Sequence, residues 1–177
     1  YIYAKQIPSA EIVLDVKGVD TNYRKVTNVH EQIFLGDYFN SQPNCVIVSS
    51  SVFYGLSLRL LDFESPLQLS FFKPNHQSPL QHPLLTSSFY VTGTYSFSAD
   101  FGGGDIVLDL DNLRVFLELS NQISALEVSV DTRINQREVK EKIHSILGDN
   151  FIIKNRFEQR PFVNKMIKSE KLIVYII

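Results

Sequence analysis

An α+β fold with a β-rich block set inside it is what this sequence predicts, and three stretches carry the prediction. Residues 66–109 hold "PLQLSFFKP", "TSSFYVTGTYSFS" and "IVLDL", runs of Thr, aromatic and β-branched residues with the composition of strands. Residues 135–148, "NQREVKEKIHSILG", have the complete pattern of an amphipathic helix. Strand-like runs flank that helix on both sides, so helix and strand alternate at the end of the chain but not in the middle.

The elements follow in order. "YIYAKQ" and "AEIVLDVKGVD" predict two strands parted by Ile7-Pro8, the second with Ile12, Leu14 and Val16 on its buried side. "TNYRKVTNVHEQIFLGDYF" has no regular period and turns at Gly36-Asp37. "NCVIV" predicts a short buried strand, and "SSSVFYGLSLRLL" a helix opened by serine with Val52, Phe53 and Leu56 on one side. "NHQSPLQHPLL" and "ADFGGGD" predict loops. "DNLRVFLELSN" predicts a helix capped by Asp109 or Asp111, with Leu113, Phe116 and Leu117 inward. "ISALEVSVD" predicts a strand before the helix at 135–148, whose cap is Asn135 with Glu138 and whose stop is Gly148. "FIIKNR" predicts its partner strand, and Asn155 with Glu158 a cap for a last helix running through "PFVNKMIKSEKLIVYII".

The chain has 177 residues, 44% of them apolar and 20% charged, which suits a folded core rather than a disordered tail. A formal charge of −2 supplies no basic field, and nucleic acid is excluded as an expected partner. The single cysteine, Cys45, lies inside "CVIV" and is expected to act as a small buried hydrophobe.

Catalytic patterns do not assemble. The glycines of "DFGGGD" lead into a strand and no Lys-Ser or Lys-Thr follows, so they do not form a phosphate cradle. Asp105, Asp109 and Asp111 lack the spacing and closing glutamate of a calcium loop. His30, His76, His82 and His144 do not have zinc spacing, although His76 and His82 share a loop. No GxSxG elbow occurs, and Ser49–Ser51 is accounted for by helix capping. No catalytic residue, metal or cofactor is expected.

Two surfaces remain. "SFFKPNHQSPLQHPLL" gathers Phe71, Phe72, Pro79, Leu80, Pro83, Leu84 and Leu85 around a proline-rich stretch, which reads either as a loop folded over the core or as a candidate apolar lip for a partner or a lipid chain. At the other end, Lys165, Lys168 and Lys171 either form a solvated helix face or reach lipid headgroups while Met166, Ile167 and Leu172 stay buried. The run Leu172–Ile177 is apolar all round and is expected to continue as a membrane helix.

With "VKGVD", "VIVSSSVFYGLSL", "SALEVSVD" and "NRFEQRPFVNKMIKSEKLIVYII" in that order, the chain resembles LolC/LolE-type permeases. These are membrane subunits of the lipoprotein-releasing ABC transporter of Gram-negative bacteria, related to MacB and FtsX. The resemblance implies a MacB-like periplasmic core domain. An α+β Porter part would comprise residues 1–44 and 122–177, with 172–177 opening the second transmembrane helix. A β-rich Sabre part, 45–121, would be inserted in it. It further implies a non-catalytic domain on the periplasmic side of the inner membrane. Its partners would be a cytoplasmic ATPase subunit, a second permease subunit or identical copy, an acylated lipoprotein and a periplasmic lipoprotein carrier. The alternatives are a MacB-like efflux permease, an FtsX-like regulator of a cell-wall hydrolase, or a free-standing periplasmic binding or adhesion domain.

Overall fold

The run "CVIVS" forms strand β5 (Cys45–Ser49), and all five residues are buried, as a strand covered on both faces must be. The structure is a computed structural model that describes residues 2–6, 10–39, 43–73, 84–96, 105–131, 133–155 and 158. It is α+β, and the chain forms two compact units, residues 1–127 and 128–177.

The first unit is built on one eight-stranded sheet. Strands β1 (Ile2–Gln6), β2 (Ala10–Leu14) and β3 (Val16–Val19) precede the short helix α1 (Tyr23–Val26) and a 3-10 turn at Val29–Gln32. Strand β4 (Ile33–Gly36), β5, helix α2 (Ser50–Gly55), β6 (Leu67–Phe72) and β7 (Leu84–Tyr95) follow, then β8 (Ile106–Asp109) and helix α3 (Leu110–Leu117). The strand order is β2-β1-β6-β7-β5-β8-β3, with β4 also on β7. The first half of the twelve-residue β7 pairs antiparallel with β6, and its second half pairs with β5 and β4. Strands from both sides of the expected boundary at 44/45 therefore share one ladder system.

The two ends of that order, β2 and β3, are separated in the chain only by Asp15. The sheet must therefore curl until its ends meet. Asp15 ties the meeting point: its N–H donates to Asp105 Oδ2 at 3.1 Å, and its carbonyl accepts from Ile106 N–H at 3.1 Å. The expected single strand 10–20 is thus two strands that pair on opposite edges.

Inside the curl, Leu14, Val46, Val48, Leu67, Leu69, Phe89, Val91, Ile106 and Leu108 meet Val52 and Phe53 from α2, Leu56 just after it, and Phe116 from α3. The Phe89 and Phe116 rings lie edge to face with centroids 5.7 Å apart. A smaller cluster on the other face joins Val19, Tyr23, Val29, Phe39, Cys45, Ile47, Tyr95 and Val107. Both helices start where their caps dictate. Ser49 Oγ accepts from Val52 N–H, and the Asp109 carboxylate accepts from Asp111 and Asn112 N–H. The helix expected through residue 61 ends at Gly55. Leu56 and Leu58, two apart, are both buried, and one helix cannot point both into the same core.

In the second unit, helix α4 (Gln136–Leu147) has its predicted boundaries. Asn135 Oδ1 accepts from Arg137 N–H at 3.0 Å, Asn135 Nδ2 donates to Glu138 Oε1 at 3.2 Å, and Gly148 ends the helix at φ +74°. The strands expected at 123–131 and 151–156 do not form among the described residues. A strand exists only when a neighbour accepts and donates along it. No described segment does so here, and Leu126, Val128 and Ile152 stay exposed, Ile152 at 86%. The apolar stripe of α4 is likewise uncovered at its end, with Ile146 80% exposed.

Candidate functional site

The two strands that border the proline-rich loop form a hairpin with fixed register: Leu67↔Phe89, Leu69↔Ser87, Phe71↔Leu85 and Phe72↔Leu84. Alternation along β6 sends Leu67, Leu69 and Phe71 inward and Gln68, Ser70 and Phe72 outward. On β7 the same parity sends Leu85 and Phe89 inward and Leu84 and Thr86 outward. The outer row is polar in its middle, where Ser70 Oγ and Thr86 Oγ1 share a hydrogen bond at 3.0 Å. At the loop end it becomes apolar: Phe72 is 54% exposed and Leu84, directly opposite, 48%.

Phe71 and Leu85 differ from this pair. They are half-buried and pack against the main core, so they support the hairpin end rather than present it. Beside them Lys73 Nζ bonds Glu118 Oε2 at 2.6 Å, joining the hairpin end to the residue that closes α3. Glu118 itself takes a left-handed backbone conformation at φ +55°.

Of the lip residues expected from sequence, the structure therefore brings Phe71, Phe72, Leu84 and Leu85 together. Pro79, Leu80 and Pro83 lie outside the described residues, as do His76, His82, the glycines of 102–104, and Lys165, Met166, Lys168, Lys171 and Leu172. Asn155 and Glu158 make the reciprocal bonds of a capping box, Glu158 N–H to Asn155 Oδ1 at 2.8 Å and Asn155 N–H to Glu158 Oε2 at 2.9 Å. The Glu158 carboxyl is held below the usual glutamate range by the hydrogen bond from Lys140 first and by the Asn155 amide second.

No family model and no curated protein matches the chain. Among solved structures it is similar to the crystal structure of a domain of a provisionally assigned permease protein from Porphyromonas gingivalis. The likeness covers 83% of this chain and 65% of that one, with a TM-score of 0.47 and 9% identity. This chain thus spans less than two thirds of the length of the domain it matches.

The remaining expected chemistry is accounted for locally. Cys45 is buried, and that burial pushes its thiol up. Ser49 caps α2 and shares a 3.0 Å hydrogen bond with Ser51. Asp111 pairs with Arg114 at 2.9 Å, and exposed His144 lies 3.6 Å from Asp149. Among the described residues no group of three His, Cys, Asp or Glu side chains could hold a metal, and no helix is long and apolar enough to cross a membrane. Sequence reasoning missed Val13, 53% exposed on the outer face of the same sheet through its register with Tyr3 and Ser70. Its alternation with Leu14 was visible; the strand order that sets it on that face was not.

Proposed function

We propose that this chain is the extracytoplasmic domain of an ABC transporter permease that releases lipoproteins from the inner membrane toward a periplasmic carrier. ATP would be hydrolysed on a separate cytoplasmic subunit, and the domain would pass on the resulting motion without catalytic side chains. The observation that carries the reading is the cross-strand pair Phe72–Leu84, taken with the family resemblance of the sequence. Two facing apolar side chains at a hairpin end, held from beneath by Phe71 and Leu85, form a small preorganised docking point.

Such a point suits this task. A carrier of acyl chains must present an apolar opening, and an apolar pair on a braced hairpin can meet it with little loss of side-chain freedom. The lysines Lys165, Lys168 and Lys171 are assigned to the headgroup layer in the same reading. The expected second permease copy and the lipoprotein cargo belong to the full-length protein. The experiment is depletion of that full-length protein in its own cells, with lipoproteins followed between the two membranes. Lipoproteins retained in the inner membrane support the assignment. Normal sorting after depletion removes it.

A further inference from the structure

Between the last turn of α3 and the start of the second unit, residues 119–127 run without helix or ladder. Two cations of the same unit reach them. Arg114 donates from both Nε and Nη2 to the Gln122 carbonyl, at 3.3 and 3.2 Å, while its Nη1 is held by Asp111 at 2.9 Å. Lys17, on β3, pairs with the Glu127 carboxylate, which is 110 residues away in sequence. The Lys17 ammonium also lies 4.7 Å from the centre of the Tyr23 ring and 3.3 Å from its hydroxyl. The two cationic side chains are only 23% and 21% exposed. A cation shielded to that degree needs its partners in place.

We infer that residues 122–127 are an electrostatically pinned strap. Arg114 holds one end and Lys17 the other, and together they fix where the chain leaves the first unit. The strap is attached by side-chain charge rather than by a backbone ladder, so its attachment is separable from the fold. Neutralising one carboxylate, or raising the salt, detaches it while the sheet and its core persist. Without the clamps the chain would be free from Leu119 onward. With them it is held as far as Glu127. This inference does not depend on the function proposed above.

The test is limited chymotrypsin digestion of the chain, following the cut after Leu126 by mass spectrometry. Glu127→Gln is the primary variant because it removes one charge without opening the core. The cut is expected to quicken about fivefold in Glu127→Gln, the scale of one exposed or half-exposed ion pair. Arg114→Gln is expected to do the same, and the double exchange Lys17→Glu with Glu127→Lys to return most of the way to the native rate. In about 1 M salt, where the Debye length falls to about 3 Å, the native chain should approach the Glu127→Gln rate. A peptide substrate corrects for the effect of salt on the protease. Unchanged cleavage in both single variants overturns the inference. So does faster cleavage accompanied by an equal acceleration of cuts within β5 and β8, which would mean that the whole unit had loosened.

Discussion

Phe72 and Leu84 stand opposite each other in the last pair of the β6–β7 ladder, and both project away from the core. Their neighbours Phe71 and Leu85, one position further in, project into it. Adjacent residues of one apolar run thus have different tasks. Replacing both outer residues, Phe72→Ser with Leu84→Ser, is expected to change stability by less than about 0.5 kcal/mol each. Phe71→Ala is expected to cost about 2 kcal/mol, because it opens space against the main cluster. Urea denaturation of the three variants checks the contrast.

A second prediction concerns two glycines. Gly93 pairs with Gly36 across β4 and β7, and a Cβ at 93 would lie 2.5 Å from the Asp37 carbonyl oxygen. That neighbour is backbone and cannot swing aside. Gly93→Ala is expected to destabilise by about 2 kcal/mol through overpacking. Gly55 is in α2 with open space around its Cβ position, and Gly55→Ala should be neutral or stabilising by up to about 1 kcal/mol. Chemical denaturation of the pair, with equal m-values, decides it.

The core makes a third prediction. Phe116 is the buried side chain of α3 and meets the Phe89 ring. Phe116→Ala should cost about 3 kcal/mol, and Asp109→Ala, which removes only the cap, about 1 kcal/mol. Calorimetry should rank the two in that order. The reverse order would mean that α3 is held by its cap rather than by its packing.

Alkaline pH gives a fourth. Burial, as the largest cause, pushes the hydroxyls of Tyr38 and Tyr95 well above the ordinary tyrosine range. A tyrosine raised in the folded state is neutral there while the unfolded chain ionises near pH ~10. Its contribution to stability is therefore complete below that pH and is lost as the pH climbs toward the folded value. Urea midpoints should be flat from about pH 8 to 9.5 and fall above 10. Tyr38 Oη is buried without a hydrogen-bond partner among the described residues, so Tyr38→Phe should be near neutral at pH ~8 and should flatten the fall.

Local chemistry made part of this architecture legible in the sequence. Asp109, Asn135 and Ser49 cap helices through bonds that span two or three residues, and such signals are present in any short window. What could not be read is whatever depends on a distant partner. "SALEVSVD" has the period of a strand, yet period does not provide a neighbouring ladder. The break at Asp15 depends on Asp105, and the Lys17–Glu127 pair joins residues that no window contains together. For the candidate site, the apolar residue types were visible, but the division between presenting and supporting side chains appeared only with the register.

The proposed function is probed most directly by lipoprotein release in cells whose full-length protein carries Phe72→Asp and Leu84→Asp. The variant protein should accumulate to normal levels while transfer of lipoproteins out of the inner membrane falls about tenfold or more, as expected when a central apolar anchor of an interface is removed. Transfer at the native rate by a normally abundant double variant would contradict the proposed function.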